Sequence, residues 1–283
     1  MPESKYVAID GVRVHYVQEG SGTPVVLVHG LGASVVAWSA NIGILAQKHA
    51  VYALDLPGQG GSEKPSDLDY DLACGVRMVV GFMDALGLST AALVGNSMGG
   101  MVALRLAADF PERVSHLVLV SPAGLGRTVS WLLRLASLPV LGGIMHLPGV
   151  VTTRGLARAI FAQPGAIEPR VLEELKRARN DPEGKRAVVK ALRSGVGPRG
   201  LKDDVMLTSA LPRVKAPVLV IWGAQDRIIP VAHAYALANK APQVQVEVFP
   251  GCGHWPQMEM PQQFNQLVLE FLKTPTRVGV DRE

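Results

Sequence analysis

One stretch, Ala91–Ala103 (AALVGNSMGGMVA), constrains the fold of this chain more than any other. An apolar run passes straight into Gly95-Asn96-Ser97-Met98-Gly99 and restarts as a run of small residues with helical character. A strand that ends in G-x-S-x-G and resumes as a helix must turn so sharply that the central serine is forced into a strained conformation, its hydroxyl exposed. Glycines flank it because a side chain at either position would collide with the strand or the helix. The pattern therefore predicts a nucleophilic serine at position 97 on an α/β scaffold.

The strand–helix rhythm extends in both directions. Tyr6–Ile9 and Val12–Val17 flank Asp10-Gly11, a strong hairpin signal. Pro24–Val28 and Val51–Leu54 read as strands, with Trp38 and a helix at Ile42–Gln47 between them. Tyr70–Leu86 repeats apolar residues at helical spacing, with Asp69 or Asp71 available as N-cap. Met101–Ala108 reads as helix and Val114–Val120 as strand. From about Leu125 to Ala210 the pattern is helical, with no strand expected. The alternation returns with Pro217–Trp222, a helix at Val231–Lys240, Val244–Phe249 and a final helix at Gln262–Lys273. Short apolar strands alternating with helices imply a mostly parallel sheet covered on both faces. Neither flanking piece makes a complete sheet. We therefore expect one α/β core (residues 1–124 and 209–283) interrupted by a helical cap (125–208).

Composition narrows the class. The 283 residues are 48% hydrophobic and 18% charged, as in a water-soluble globular protein. The formal charge of +4 is spread out, and basic stretches such as Lys176-Arg177-Ala178-Arg179 alternate with Glu173 and Glu174. No nucleic-acid-binding module accompanies them. Arg134, Pro139, His146 and Pro148 interrupt the most apolar region, Val129–Val151, so no membrane-spanning helix is expected. Cys74 and Cys252 are the only cysteines, without metal-type spacing. With no apolar signal core in MPESKYVAID, they point to a reducing, cytoplasmic setting.

A serine hydroxyl needs a base, and the base an orienting carboxylate. On this kind of sheet they follow the serine in the order acid, then histidine, each beyond a later strand. Asp226 follows PVLVIWGAQ and His254 follows VQVEVFPGCG. Asp55 also follows a strand, but it precedes Ser97; we expect it to secure the loop Pro57–Ser62 instead. The oxyanion donors expected are the backbone N–H groups of Met98 and of Leu31, in the His29-Gly30-Leu31-Gly32 loop, where Gly30 and Gly32 allow close approach.

With HGLG, DLPGQGGS, GNSMGG, PERV, GAQD and GHW in order, the chain resembles the α/β-hydrolase superfamily over nearly its whole length. That resemblance implies the α/β-hydrolase fold: a mostly parallel sheet with an antiparallel N-terminal hairpin, helices on both faces and an inserted helical cap. Ser97 at the elbow sets the chain apart from dehalogenases and epoxide hydrolases, which carry aspartate there. Asn96 before the serine, His254-Trp255 and Trp38-Ser39 look like the meta-cleavage-product hydrolases, which split carbon–carbon bonds in 2-hydroxy-6-oxo-dienoates. By that resemblance Gly30, Asn96, Arg179 and Trp255 are candidate substrate contacts. LGASVVA replaces that family's Gly-rich loop, and Ala40 stands where its asparagine is expected. The apolar cap (Trp131, Leu132, Leu133, Leu135, Leu138, Val140, Leu141, Ile144, Met145) suits an acyl or aryl ester.

The expected activity is therefore a carboxylesterase working through an acyl-enzyme on Ser97, His254 and Asp226. Alternatives are C–C hydrolysis of meta-cleavage products, lactone or amide cleavage, acyl transfer, or a non-catalytic binding protein on the same fold. No metal or organic cofactor is called for. The expected partner is a small-molecule acyl substrate, with no nucleic acid, no stable membrane insertion, and an oligomer possible.

Overall fold

The computed structural model describes residues 1–139, 152–163, 167–241 and 243–275. Its central sheet is built from β1 (Ser4–Ile9), β2 (Val12–Glu19), β3 (Pro24–Val28), β4 (Ala50–Leu54), β5 (Ala91–Asn96), β6 (Val114–Val120), β9 (Val218–Gly223) and β10 (Gln245–Phe249). These eight strands lie in the order β1-β2-β4-β3-β5-β6-β9-β10. β1–β2 and β2–β4 pair antiparallel and every other pair is parallel. Asp10 and Gly11 join the first two strands with φ of 50° and 80°, the primed turn that matches strand twist.

The central strands are apolar over most of their length because both faces are covered. On β3, Val26 and Val28 point into one core and Val25 and Leu27 into the other. The same alternation holds for Leu117 and Leu119 against Val118 and Val120 on β6, and for Val220 and Trp222 against Leu219 and Ile221 on β9. Side chains change face at each step along a strand, so two cores need two interleaved apolar sets.

Helices α2 (Leu72–Ala85) and α3 (Met98–Asp109) fill the first face; Asp71 caps α2 by accepting from the Cys74 N–H. Helix α1 (Ile42–Leu45) and the 3-10 turn Val35–Trp38 lie on the second face, joined by the C-terminal helix Pro261–Phe271.

Between β6 and β9 the chain forms α4 (Trp131–Ala136), α5 (Thr153–Ile160), α6 (Pro169–Asn180) and α7 (Pro182–Gly195). The expectation of a strand-free segment is corrected here. β7 (Val196–Gly197) and β8 (Gly200–Leu201) form a two-stranded antiparallel ribbon. Strands of two residues carry no readable periodicity, and the turn depends on Gly200 at φ +113°, packed against the Arg127 carbonyl. Val140, Leu141, Ile144, Met145 and His146 lie outside the described residues. After β9 come α8 (Ala232–Lys240), β10, α9 (Pro256–Glu259) and α10 (Pro261–Phe271).

β3 lies between β4 and β5, so the chain leaves it toward one side of the sheet and returns on the other. Such a switch point opens a crevice at the carboxyl ends of the two strands, where open α/β sheets place their ligands. His29–Leu31 leave β3 there and Ser97 leaves β5 there.

Candidate active site

Ser97 stands between β5 and α3 with φ 56° and ψ −115°, a left-handed conformation unusual for a side-chain-bearing residue. Its backbone is held on both sides: Ser97 N–H donates to the Val120 carbonyl at 2.9 Å, and its own carbonyl accepts from Ala123 at 3.0 Å. A Cβ at Gly95 would strike the Gly99 carbonyl, and one at Gly99 would strike the Val28 and His29 carbonyls. The two flanking glycines are thus required by crowding between strand, helix and the neighbouring loop.

Asp226 follows β9, and its buried carboxylate is satisfied on three sides. Oδ1 accepts from the Ile228 and Ile229 N–H groups at 2.8 and 2.9 Å. Oδ2 lies 2.7 Å from Nδ1 of His254, on the loop after β10. Since Oδ2 accepts, Nδ1 carries the proton and Nε2 of the neutral ring is free to take one. The His254 N–H is anchored on the Ile160 carbonyl at 2.7 Å.

Ser97 and His254 open on one cavity of about 130 Å³. Gly30, Leu31, Met98 and Trp255 line it too, with Leu133, Leu156, Ile160, Leu192 and Leu201 from the segment between β6 and β9. Met98 is the first residue of α3, so its N–H has no carbonyl one turn earlier to satisfy. Leu31 sits in a loop fastened from outside. The Gly32 N–H donates to Gln59 Oε1 at 2.5 Å, and the Val35 N–H to Asp55 Oδ1 at 2.7 Å. Buried His29 bonds the Gly30 carbonyl through Nδ1 at 2.8 Å and accepts the Leu56 N–H on Nε2 at 3.0 Å. Burial pushes its pKa down, which keeps the ring neutral and in that tautomer. A Cβ on Gly30 would come within 3.0 Å of the Ser97 Cβ.

Asp55, the competing carboxylate, is engaged elsewhere. Oδ2 lies 2.7 Å from Nδ1 of His15 and accepts from the Gly61 N–H at 2.7 Å, which secures the Pro57–Ser62 loop. Trp255 is buried edge-on against Phe161 with ring centroids 5.4 Å apart. Two of the residues considered as substrate contacts are not among those lining this cavity. Asn96 is fully buried and does not line the cavity; its amide donates to the Val120 and His254 carbonyls at 3.1 and 3.2 Å, stapling the elbow to the histidine loop. Arg179 is half-buried near the end of α6, away from the cavity lining. Among the described residues, no cluster of His, Cys, Asp or Glu is placed to hold a metal ion, and no helix is long and apolar enough to cross a membrane. Sequence reasoning missed Gln59: nothing in DLPGQGGS distinguishes a loop residue that braces another loop.

The alpha/beta hydrolase family matches residues 25–267 of the chain. The dihydrolipoyllysine-residue acetyltransferase component of the acetoin cleaving system of Cupriavidus necator is 35% identical over 95% of this chain and 68% of its own. The 2-hydroxy-6-oxo-6-phenylhexa-2,4-dienoate hydrolase of Burkholderia cepacia is 33% identical over 95% of this chain and 96% of its own. The crystal structure of the hydrolase of the same name from Rhodococcus sp. strain RHA1 superposes with a TM-score of 0.83 at 26% identity, over 97% of this chain and 99% of that one.

Proposed function

We propose, from the premise that this chain belongs to the alpha/beta hydrolase family, that it cleaves small neutral carboxylic esters through an acyl-enzyme on Ser97. His254 Nε2 takes the Ser97 proton as the oxygen attacks the carbonyl carbon. Asp226 keeps the ring oriented and stabilises the imidazolium. The Leu31 and Met98 N–H groups receive the oxyanion. The alcohol departs with the proton held by His254, and water then attacks the acyl-enzyme by the same relay. Residues 125–208 act as a cap over the core formed by 1–124 and 209–283, with Leu133, Leu156, Ile160 and Leu192 roofing the acyl group.

The observation that carries this reading is the character of the cavity. Apart from Ser97 and His254, its lining side chains are apolar, and among the described residues no Lys or Arg lines it. A dienoate would bring a carboxylate into that space. Burying an unpaired carboxylate costs several kcal/mol even after relaxation, whereas a neutral ester incurs no such penalty. A volume of about 130 Å³ is close to that of apolar cavities that hold a benzene-sized guest, so short acyl or aryl groups fit best. A panel of p-nitrophenyl esters is expected to show kcat/KM highest for acyl chains of a few carbons and falling steeply for long ones. Preference for long chains would refute this account of the pocket.

The relatives favour a second reading, C–C hydrolysis of a 2-hydroxy-6-oxo-dienoate, the substrate class printed in their names. Loss of the yellow absorbance of such a dienoate faster than ester hydrolysis, on one preparation, would establish it. Arg179→Ala separates the two. Ester hydrolysis is expected to stay within about twofold of the parent, the range for a residue that touches neither substrate nor its supports. A large loss confined to the dienoate would make Arg179 the carboxylate anchor and displace the esterase reading.

A further inference from the structure

Glu259 is a half-buried carboxylate that accepts from backbone amides and lies against the Cys252 thiol. It stands at the end of α9, five residues beyond His254. Its Oε1 accepts from the Gly253 N–H at 2.8 Å, immediately before the histidine. Its Oε2 accepts from the Ala162 N–H at 2.7 Å, two residues beyond the end of α5. Three neighbouring features tie the same two segments together. The His254 N–H donates to the Ile160 carbonyl at 2.7 Å, Phe161 packs on Trp255, and Gly253 passes so close that an added Cβ would lie 2.8 Å from the Ala162 nitrogen.

We propose that Glu259 is a positioning residue: its two oxygens clamp the His254 loop to the segment after α5 and so set the imidazole against Ser97. The inference rests on the proposed role of His254. Both groups to be joined are backbone N–H donors, so the bridging group must be an acceptor. A carboxylate, with lone pairs on two oxygens about 2.2 Å apart, can receive both amides at once. Burial pushes the Glu259 carboxyl above its ordinary pKa while backbone N–H groups from Ala162, Gly253, Trp255 and Gln163 pull it back. The amide dipoles offset part of the cost of burial, and the Gly253 N–H they engage lies one residue from His254.

The clamp makes Ile160, a cavity-lining residue, move with His254.

The test is Glu259→Gln, which keeps size and one acceptor but replaces the other by an amide donor that faces a backbone N–H. Turnover is normalised to sites titrated with a fluorophosphonate, and backbone hydrogen exchange is followed by mass spectrometry in the same preparation. The expected result is kcat lower by about tenfold to a hundredfold, the scale of a slight misplacement of a reacting group. KM should stay within about threefold, and exchange should accelerate only in peptides spanning 160–163 and 252–255. Glu259→Ala should deepen both effects. Unchanged kcat per titrated site would overturn the proposal, as would a loss accounted for entirely by fewer titratable sites. Local exchange that responds while the parent protein hydrolyses no ester would instead refute the functional reading and leave the clamp standing.

Discussion

Ser97→Ala is expected to lower kcat for a p-nitrophenyl ester by about 10⁴-fold or more, with the fold retained. Among the described residues lining the cavity Ser97 carries the only hydroxyl, and removal of a nucleophile that works as a unit with its base has cost up to about 10⁶ in a well-studied serine protease. The residual rate would come from the oxyanion donors alone. Alanine at this position keeps the φ of 56° and hence the strain. Ser97→Gly is expected to be equally inactive yet more stable by about 1 kcal/mol, because glycine adopts left-handed backbone without penalty. Thermal unfolding of both variants, set beside their turnover, measures the conformational cost of exposing the hydroxyl. Turnover by Ser97→Ala close to that of the parent, in a preparation free of other esterases, would refute the assignment.

Asp55→Ala is expected to cost about 3–5 kcal/mol of stability, the scale found when one partner is taken from a buried charged cluster. The carboxylate is buried, and its loss leaves the Val35 and Gly61 N–H groups and the His15 ring without their acceptor. Burial by itself would raise its pKa, but the hydrogen bonds from His15 and the Gly61 N–H hold it below the ordinary carboxylate range. A carboxyl whose folded pKa is depressed contributes stability that is complete above its unfolded pKa of about 4 and disappears as pH falls through the folded value. Urea denaturation of parent and variant should accordingly differ most near neutrality and converge in strong acid. A difference below about 1 kcal/mol at pH 7 would show that the loops do not depend on this carboxylate.

These two sites, with an aspartate in each, show what is and is not legible in the chain. Asp55 and Asp226 both follow strands and both carry a histidine in space, at the same 2.7 Å. Their order along the chain relative to Ser97 is what tells them apart in the sequence. In the fold, Asp226 meets His254 beside the serine's cavity, and Asp55 meets His15 beneath the Pro57–Ser62 loop. Strands are readable because burial on both faces leaves continuous apolar runs, and the elbow because crowding demands glycine at 95 and 99. What escapes is contact between loops. Gln59 on Gly32, Val35 on Asp55 and Glu259 on Ala162 join segments from 20 to 97 residues apart along the chain. No local periodicity records such meetings. Asn96 and Arg179 are candidates only through resemblance to C–C hydrolases, and the packing of this chain gives them other surroundings. The β7–β8 ribbon is too short to leave a pattern.

The serine and the histidine inherit very different foundations. β5 lies well inside the sheet and is buried throughout, whereas β10 is its last strand, hydrogen-bonded along one side only and partly open to water. Fraying begins where the backbone is least enclosed. Warming or mild denaturant would thus loosen the loop that carries His254 while Ser97 stayed firmly seated, and the proposed activity would fade before the core melted. The durability of such a protein in use is then governed by its margin, and reinforcing β10 would extend working life more than further filling an already dense interior.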